Sequence, residues 1–277
     1  MKTAEAVVVA GAERLAKILV EIDTMTIAVS GGVDSMTLAC FAHRQLGRER
    51  VRMVHASSPA VPLDAGGRIR QLAKREGWTL EVVDAGEFSD PAYRANPINR
   101  CFYCKSNLYG TLGALSDGVV LSGTNTDDLG DYRPGLEAAR IHNVRHPYVE
   151  AGFAKRDVRA MATALDLPEY AALPASPCLS SRVETGLPIE AVDLAMIDAI
   201  EAWCREQLVP QTVRCRLRRL GLVIELDPET HARLTGGFRA TVVDKLRGAV
   251  AGLAGKQIAF ADYQRGSAFV GDRSIIS

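Results

Sequence analysis

The string Ser30-Gly31-Gly32-Val33-Asp34-Ser35 lies between a short apolar run and a helical pattern. Two adjacent glycines let the backbone bend tightly, so that successive N–H groups converge on an anion. The helix that follows adds the partial positive charge of its N-terminus. Ser30 and Ser35 supply hydroxyl donors for phosphate oxygens. Asp34 repels a bare phosphate and suits a Mg²⁺ that accompanies one. The Gly-Lys-Ser/Thr ending of a Walker A loop is missing, and so is the G-x-G-x-x-G dinucleotide fingerprint.

Cysteines supply the second chemistry. Cys178 stands in a segment rich in serine and proline, with Arg182 close enough in sequence to favour its thiolate, the reactive form. Cys101 and Cys104 have C-x₂-C spacing, which suits two ligands of one metal or a disulfide. With Cys178 as a third thiol, a [4Fe–4S] cluster would keep one iron open for an extra sulfide. A disulfide relay, a Zn²⁺ site and inert thiols are the other readings of the pair.

Charged residues complete the candidate set. Asp127, Asp128 and Asp131 crowd a loop after an apolar run, where Mg²⁺ or a guanidinium such as Arg133 would offset their repulsion. Lys105 follows the cysteine pair and Lys155 opens a helix, and either suits negative charge on a reacting phosphate. A lysine at a helix start is disfavoured by the dipole unless an anion sits there. Arg214, Arg216 and Arg218 alternate with Val213, Cys215 and Leu217, giving a strand with a basic face fit for a phosphate. The five histidines show no metal-ligand spacing and are assigned no role.

The elements that must position these groups follow from periodicity. Short apolar runs at Thr26–Val29, Val51–His55, Trp78–Val83 and Val119–Leu121 alternate with helical patterns at Asp34–Leu46, Asp64–Glu76, Asn99–Leu115 and Lys155–Leu165. Such alternation predicts βαβ units and a parallel sheet covered on both faces. After about Pro168 the pattern changes to a proline-rich segment. A helix is then expected over Pro188–Leu208, with Val192, Met196, Ile200 and Cys204 on one face, followed by strands near Thr212–Leu220, Val223–Leu226 and Lys256–Asp262. The expected division is residues 1–172, a linker over 173–186 carrying Cys178, and an α+β domain over 187–277 for substrate binding and oligomerisation.

Composition bounds the alternatives. With 33 basic and 33 acidic residues among 277, the chain has no net field to attract nucleic acid or an anionic membrane. Charges at Glu5, Glu13, Arg14, Lys17 and Glu21 interrupt any secretory leader, and no apolar stretch is long enough to span a bilayer. A cytoplasmic protein with reduced cysteines is expected.

The loop Ser30–Ser35 matches the PP-loop of the ATP pyrophosphatase superfamily. Three further segments narrow the resemblance: 99–105 with the cysteine pair, 123–135 with the acidic loop, and 174–182 with Cys178. Together with the PP-loop they resemble the LarE family, ATP-dependent sulfur transferases of nickel-pincer nucleotide cofactor biosynthesis. The likeness runs to about Glu225 and returns at 263–267. It implies an α/β, adenine nucleotide alpha hydrolase-like domain with a smaller C-terminal α+β domain. It implies ATP and Mg²⁺ at Ser30, Gly31, Gly32, Asp34, Ser35, Gly123, Thr124, Asn125, Asp127, Asp128, Asp131, Arg133, Lys155 and Arg182. Arg214 and Arg216 are implied as ligands of the substrate phosphate, and Glu201 and Glu225 as metal ligands. The implied reaction adenylates a carboxylate of a pyridinium dicarboxylate mononucleotide and replaces its oxygen by sulfur. The sulfur comes either from Cys178 itself, which becomes dehydroalanine, or from a cluster-held sulfide. The substrate is then a small nucleotide and the protein a homo-oligomer. The rival readings are tRNA thiolation, an amide-forming ligase of NAD-synthetase type, and a nucleotide-binding regulator.

Overall fold

The computed structural model describes residues 4–130, 134–175 and 177–269. The chain divides into two compact units. The first holds residues up to Ser58, then Leu63–Asp90 and Asn99–Ser176; the second holds Pro59–Pro62, Pro91–Ile98 and everything from Pro177.

The first unit is built on four parallel strands: β1 (Met25–Ala28), β2 (Val51–Ala56), β3 (Thr79–Val83) and β4 (Val119–Leu121). Their spatial order is β3-β2-β1-β4. The helices Val33–Leu46 and Leu63–Glu76 connect β1 to β2 and β2 to β3, and the chain then crosses to the other side of β1. The order therefore reverses between β1 and β4, and such a switch point leaves a crevice at the strands' carboxyl ends. Ile27 is in register with Leu121, so the segments after β1 and β4 emerge side by side.

Successive strand residues face opposite sides. Ile27, Met53 and Leu121 enter one apolar cluster with Leu15, Met36 and Phe153; Val54 and Val120 enter a second with Tyr109, Leu112 and Ala139. The segment around 144–148 forms only a single bridge, Arg145 to Leu121, and turns at once into the short helix Pro147–Glu150.

The second unit carries a three-stranded sheet in the order β5 (Val213–Arg218), β6 (Gly221–Leu226), β7 (Ile258–Asp262). β5 and β6 form an antiparallel hairpin, and β7 runs parallel to β6 after a crossover through the helices Pro228–Arg233 and Gly236–Ala249. The helix Ala191–Leu208 packs against β5. Its buried stripe includes Leu194, Ile197, Ile200, Glu201 and Cys204, whereas Val192, expected on that face, is 76% exposed. Among the described residues no helix is long and apolar enough to cross a membrane.

Candidate active site

The loop after β1 is shaped by its glycines and serines. Gly31 has φ +76°, and a Cβ there would lie 2.9 Å from the Ala65 carbonyl oxygen, so only glycine is accommodated. The Ser30 N–H donates to Ser35 Oγ at 3.0 Å, and the two hydroxyl oxygens are 3.1 Å apart. Both therefore sit at the start of the 14-residue helix Val33–Leu46, which no side chain caps. The first N–H groups of a helix have no partner within it, which suits this end to an anion. Arg68 donates to the Gly31 carbonyl at 3.3 Å and braces the loop from the helix Leu63–Glu76.

The segment after β4 lies directly on that helix start. A Cβ on Gly123 would fall 2.7 Å from the Ser35 nitrogen and 2.9 Å from the Asp34 carbonyl carbon. Beyond it, buried Asn125 donates to an Asp34 carboxylate oxygen at 3.2 Å. The other Asp34 oxygen is ion-paired with the Lys155 ammonium. The Lys155 N–H donates to Asp127 at 3.0 Å, the Asp127 N–H to the Asn125 side chain at 3.1 Å, and the Asn125 N–H to Asp128 at 3.1 Å. Asp34, Asn125, Asp127, Asp128 and Lys155 thus form one hydrogen-bonded set beside the glycine loop. Lys155 is tolerated at the start of the helix Lys155–Ala164 because Asp34 and Asp127 meet it there. Asp131 and Arg133 lie outside the described residues.

Cys101 and Cys104 are half-buried near the start of the helix Arg100–Leu115, three residues apart and therefore on one face. Lys105 follows them, its ammonium 5.6 Å above the Tyr109 ring centre.

In the second unit Cys178 is exposed and precedes the tight turn Leu179–Arg182. Arg182, four residues on, is buried. Its guanidinium donates to the carbonyls of Pro177 at 2.6 Å and Cys178 at 3.1 Å, and to both oxygens of Glu201 at 2.9 and 3.1 Å. Glu201 also accepts the Cys215 N–H at 3.0 Å. Arg216 is buried as well. It donates to Glu225 at 3.0 Å and to the carbonyls of Ser181 at 3.2 Å and Gln264 at 3.3 Å. Ser267 donates to the other Glu225 oxygen. Arg214 lies 6.0 Å from the Tyr263 ring centre, and burial lowers its pKa below the ordinary arginine value. The segment 263–267 is thus gathered beside the arginines of β5.

Glu201 and Glu225 hold guanidinium groups here, so a metal ion at either would have to displace an arginine. Among the described residues no three His, Cys, Asp or Glu side chains are grouped to hold a metal ion.

Sequence reasoning passed over His146 and Ser122. His146 Nδ1 is 2.7 Å from Ser122 Oγ, which is 2.9 Å from Thr124 Oγ1. His146 and Ser122 stand 24 positions apart, and the chain between them carries no local signal for this contact.

A parallel α/β sheet with a Ser-Gly-Gly-Val-Asp-Ser loop at its switch point defines a protein of PP-loop type. No family model matches the chain. It is 32% identical over 212 residues, 75% of this chain and 76% of the relative, to pyridinium-3,5-bisthiocarboxylic acid mononucleotide synthase of Lactiplantibacillus plantarum. It is also 38% identical over 221 residues, 78% of this chain and 81% of the relative, to an uncharacterized protein of Synechocystis sp.. The chain belongs to the LarE family.

Proposed function

We propose that this protein is a cytoplasmic, homo-oligomeric, ATP-dependent sulfur transferase that converts a carboxylate of a pyridinium-3,5-dicarboxylate mononucleotide to a thiocarboxylate. The name of the Lactiplantibacillus relative supports the substrate class. One observation carries the sulfur half: of the six cysteines, Cys178 alone is exposed, and its carbonyl is clamped by a buried arginine.

The ATP half is assigned to the first unit. The N–H groups and hydroxyls of Ser30–Ser35 take the phosphates, with Gly123, Thr124 and Asn125 alongside. Asp34 is the residue to hold Mg²⁺, which when bound neutralises phosphate charge, while Lys155 leaves Asp34 for a phosphate oxygen. The substrate carboxylate attacks the α-phosphorus, and pyrophosphate leaves. Cys178 thiolate then attacks the acyl adenylate; a C–S bond forms, the C–O bond to AMP breaks, and AMP leaves. Loss of the Cys178 Hα as a proton and cleavage of its Cβ–Sγ bond release the thiocarboxylate and leave dehydroalanine. Arg214 and Arg216 are assigned to the substrate phosphate.

Cys101 and Cys104, set on one helical turn, would serve as two ligands of a [4Fe–4S] cluster. Such a cluster would supply sulfide from outside the protein and spare the Cys178 sulfur.

The test is an anaerobic incubation of the protein with ATP, Mg²⁺ and the pyridinium dicarboxylate mononucleotide, read by mass spectrometry. A thiolated pyridinium is expected from the wild type and none from Cys178→Ala. Loss of one H₂S equivalent, about 34 mass units, from the protein identifies Cys178 as the sulfur source. Sulfur transfer by Cys178→Ala would overturn the assignment.

A further inference from the structure

Ser122 Oγ has one proton to give and two lone pairs to fill. Three groups surround it: His146 Nδ1 at 2.7 Å, Thr124 Oγ1 at 2.9 Å, and the Thr124 N–H at 3.4 Å. The N–H is a fixed donor and occupies one lone pair. The imidazole decides the rest. If Nδ1 carries the proton, it fills the second lone pair, Ser122 donates to Thr124 Oγ1, and the Thr124 proton must go to another partner. If Nδ1 is bare, Ser122 donates to it, Thr124 donates back to Ser122, and only Thr124 lone pairs remain for a ligand.

Thr124 follows Gly123, whose backbone lies against the Ser35 nitrogen at the start of the helix Val33–Leu46. The neighbouring loop offers N–H and hydroxyl donors suited to an anion. An anion beside Thr124 requires a donor there, which is the arrangement with Nδ1 protonated. Burial lowers the pKa of His146 although Glu150 and Asp128 act to raise it, which favours the neutral ring, whose single proton has one of two places.

We propose that His146 is a positioning residue for nucleotide binding: through Ser122 it keeps the Thr124 hydroxyl a donor toward a phosphate oxygen. This rests on the ATP reading above.

The test measures the affinity of the full-length protein for Mg²⁺ and a non-hydrolysable ATP analogue by calorimetry. His146→Asn retains an N–H near the place of Nδ1 and is expected to bind within about threefold of wild type, whereas His146→Leu loses about tenfold, the worth of one hydrogen bond to a charged group. Thr124→Val is expected to lose as much, and the double variant His146→Leu/Thr124→Val no more than Thr124→Val alone. In turnover the loss falls on KM for ATP and not on kcat, which a general loss of fold would not produce. If His146→Leu does not fold, Ser122→Ala cuts the same relay and carries the same expectation. Binding by His146→Leu, or by Ser122→Ala in its place, within twofold of wild type overturns the proposal, as does His146→Asn as weak as His146→Leu. A wild-type protein that binds no nucleotide overturns the ATP reading, and this inference with it.

Discussion

The guanidinium of Arg182 joins Glu201 to the main chain at Cys178: two of its nitrogens hold the carboxylate, and a third holds the Cys178 carbonyl. Both partners are buried, with side-chain exposures of 2% and 1%. Removing one member of such a pair strands the other's charge in a poorly solvated place, at a cost of about 3–5 kcal/mol. Arg182→Met is therefore expected to lower the urea midpoint by that equivalent. Arg182→Met/Glu201→Met should recover much of the stability, because no charge is left unpaired, yet not the sulfur transfer, because the carbonyl clamp is gone. Urea titration beside the anaerobic product assay separates the two effects.

Gly123 has no room for a methyl group against Ser35 and Asp34. Gly123→Ala is expected to push the segment after β4 away from the helix start and cost about 1–3 kcal/mol by overpacking. Affinity for ATP should fall with it. Calorimetry with nucleotide and a thermal melt without it check both parts; an unchanged affinity would show that this approach does not matter to binding.

His55 Nδ1 donates to the Val29 carbonyl at 3.0 Å, just before the glycine loop, and burial lowers its pKa from 6.5. The folded state thus binds a proton less readily than the unfolded chain. Its contribution to stability is complete above about pH 6.5 and is lost as pH falls from there through the lowered folded value. His43 and His146 are displaced in the same direction by burial and steepen the effect. Urea midpoints measured from pH 7.5 down to pH 5 should decline, and His55→Asn should flatten the slope.

The cysteines should alkylate in a fixed order. Cys178 is exposed, and Cys101 and Cys104 are partly so. Burial pushes the thiols of Cys40 and Cys204 up to about 12 and raises that of Cys215 as well. Iodoacetamide acts on the thiolate. Peptide mapping at pH 8 should find Cys178 modified first and Cys40, Cys204 and Cys215 only after unfolding. Early labelling of Cys40 would contradict the burial described.

Periodicity was enough to locate β4 at Val119–Leu121 and the glycine loop between β1 and its helix, because strand runs, helix patterns and turn residues are local signals. The grouping of Asp34 with Lys155, 121 residues on, was not legible; it depends on β4 lying beside β1. The basic face of β5 was legible in part. Alternation placed Arg216 correctly on the strand but could not show that Glu225 and Ser181 bury it. The helix Gly236–Ala249 was missed because it opens with two glycines and buries only Val242 and Leu246. His146 gave no sign, since a lone histidine near a turn resembles any other.

The second unit borrows two short pieces from the middle of the first. Leu179 donates to the Ala60 carbonyl, and buried Asn96, at φ +53°, donates to the carbonyls of Glu184 and Leu187, both at 2.9 Å. No single cut separates the units. A fragment starting at Pro177 would lack Ala60 and Asn96, leaving the chain around Cys178 without its anchors. During synthesis, residues 59–62 and 91–98 leave the ribosome long before their partners exist. The cysteine segment therefore assumes its form only late, and a sulfur-bearing residue is set in place last.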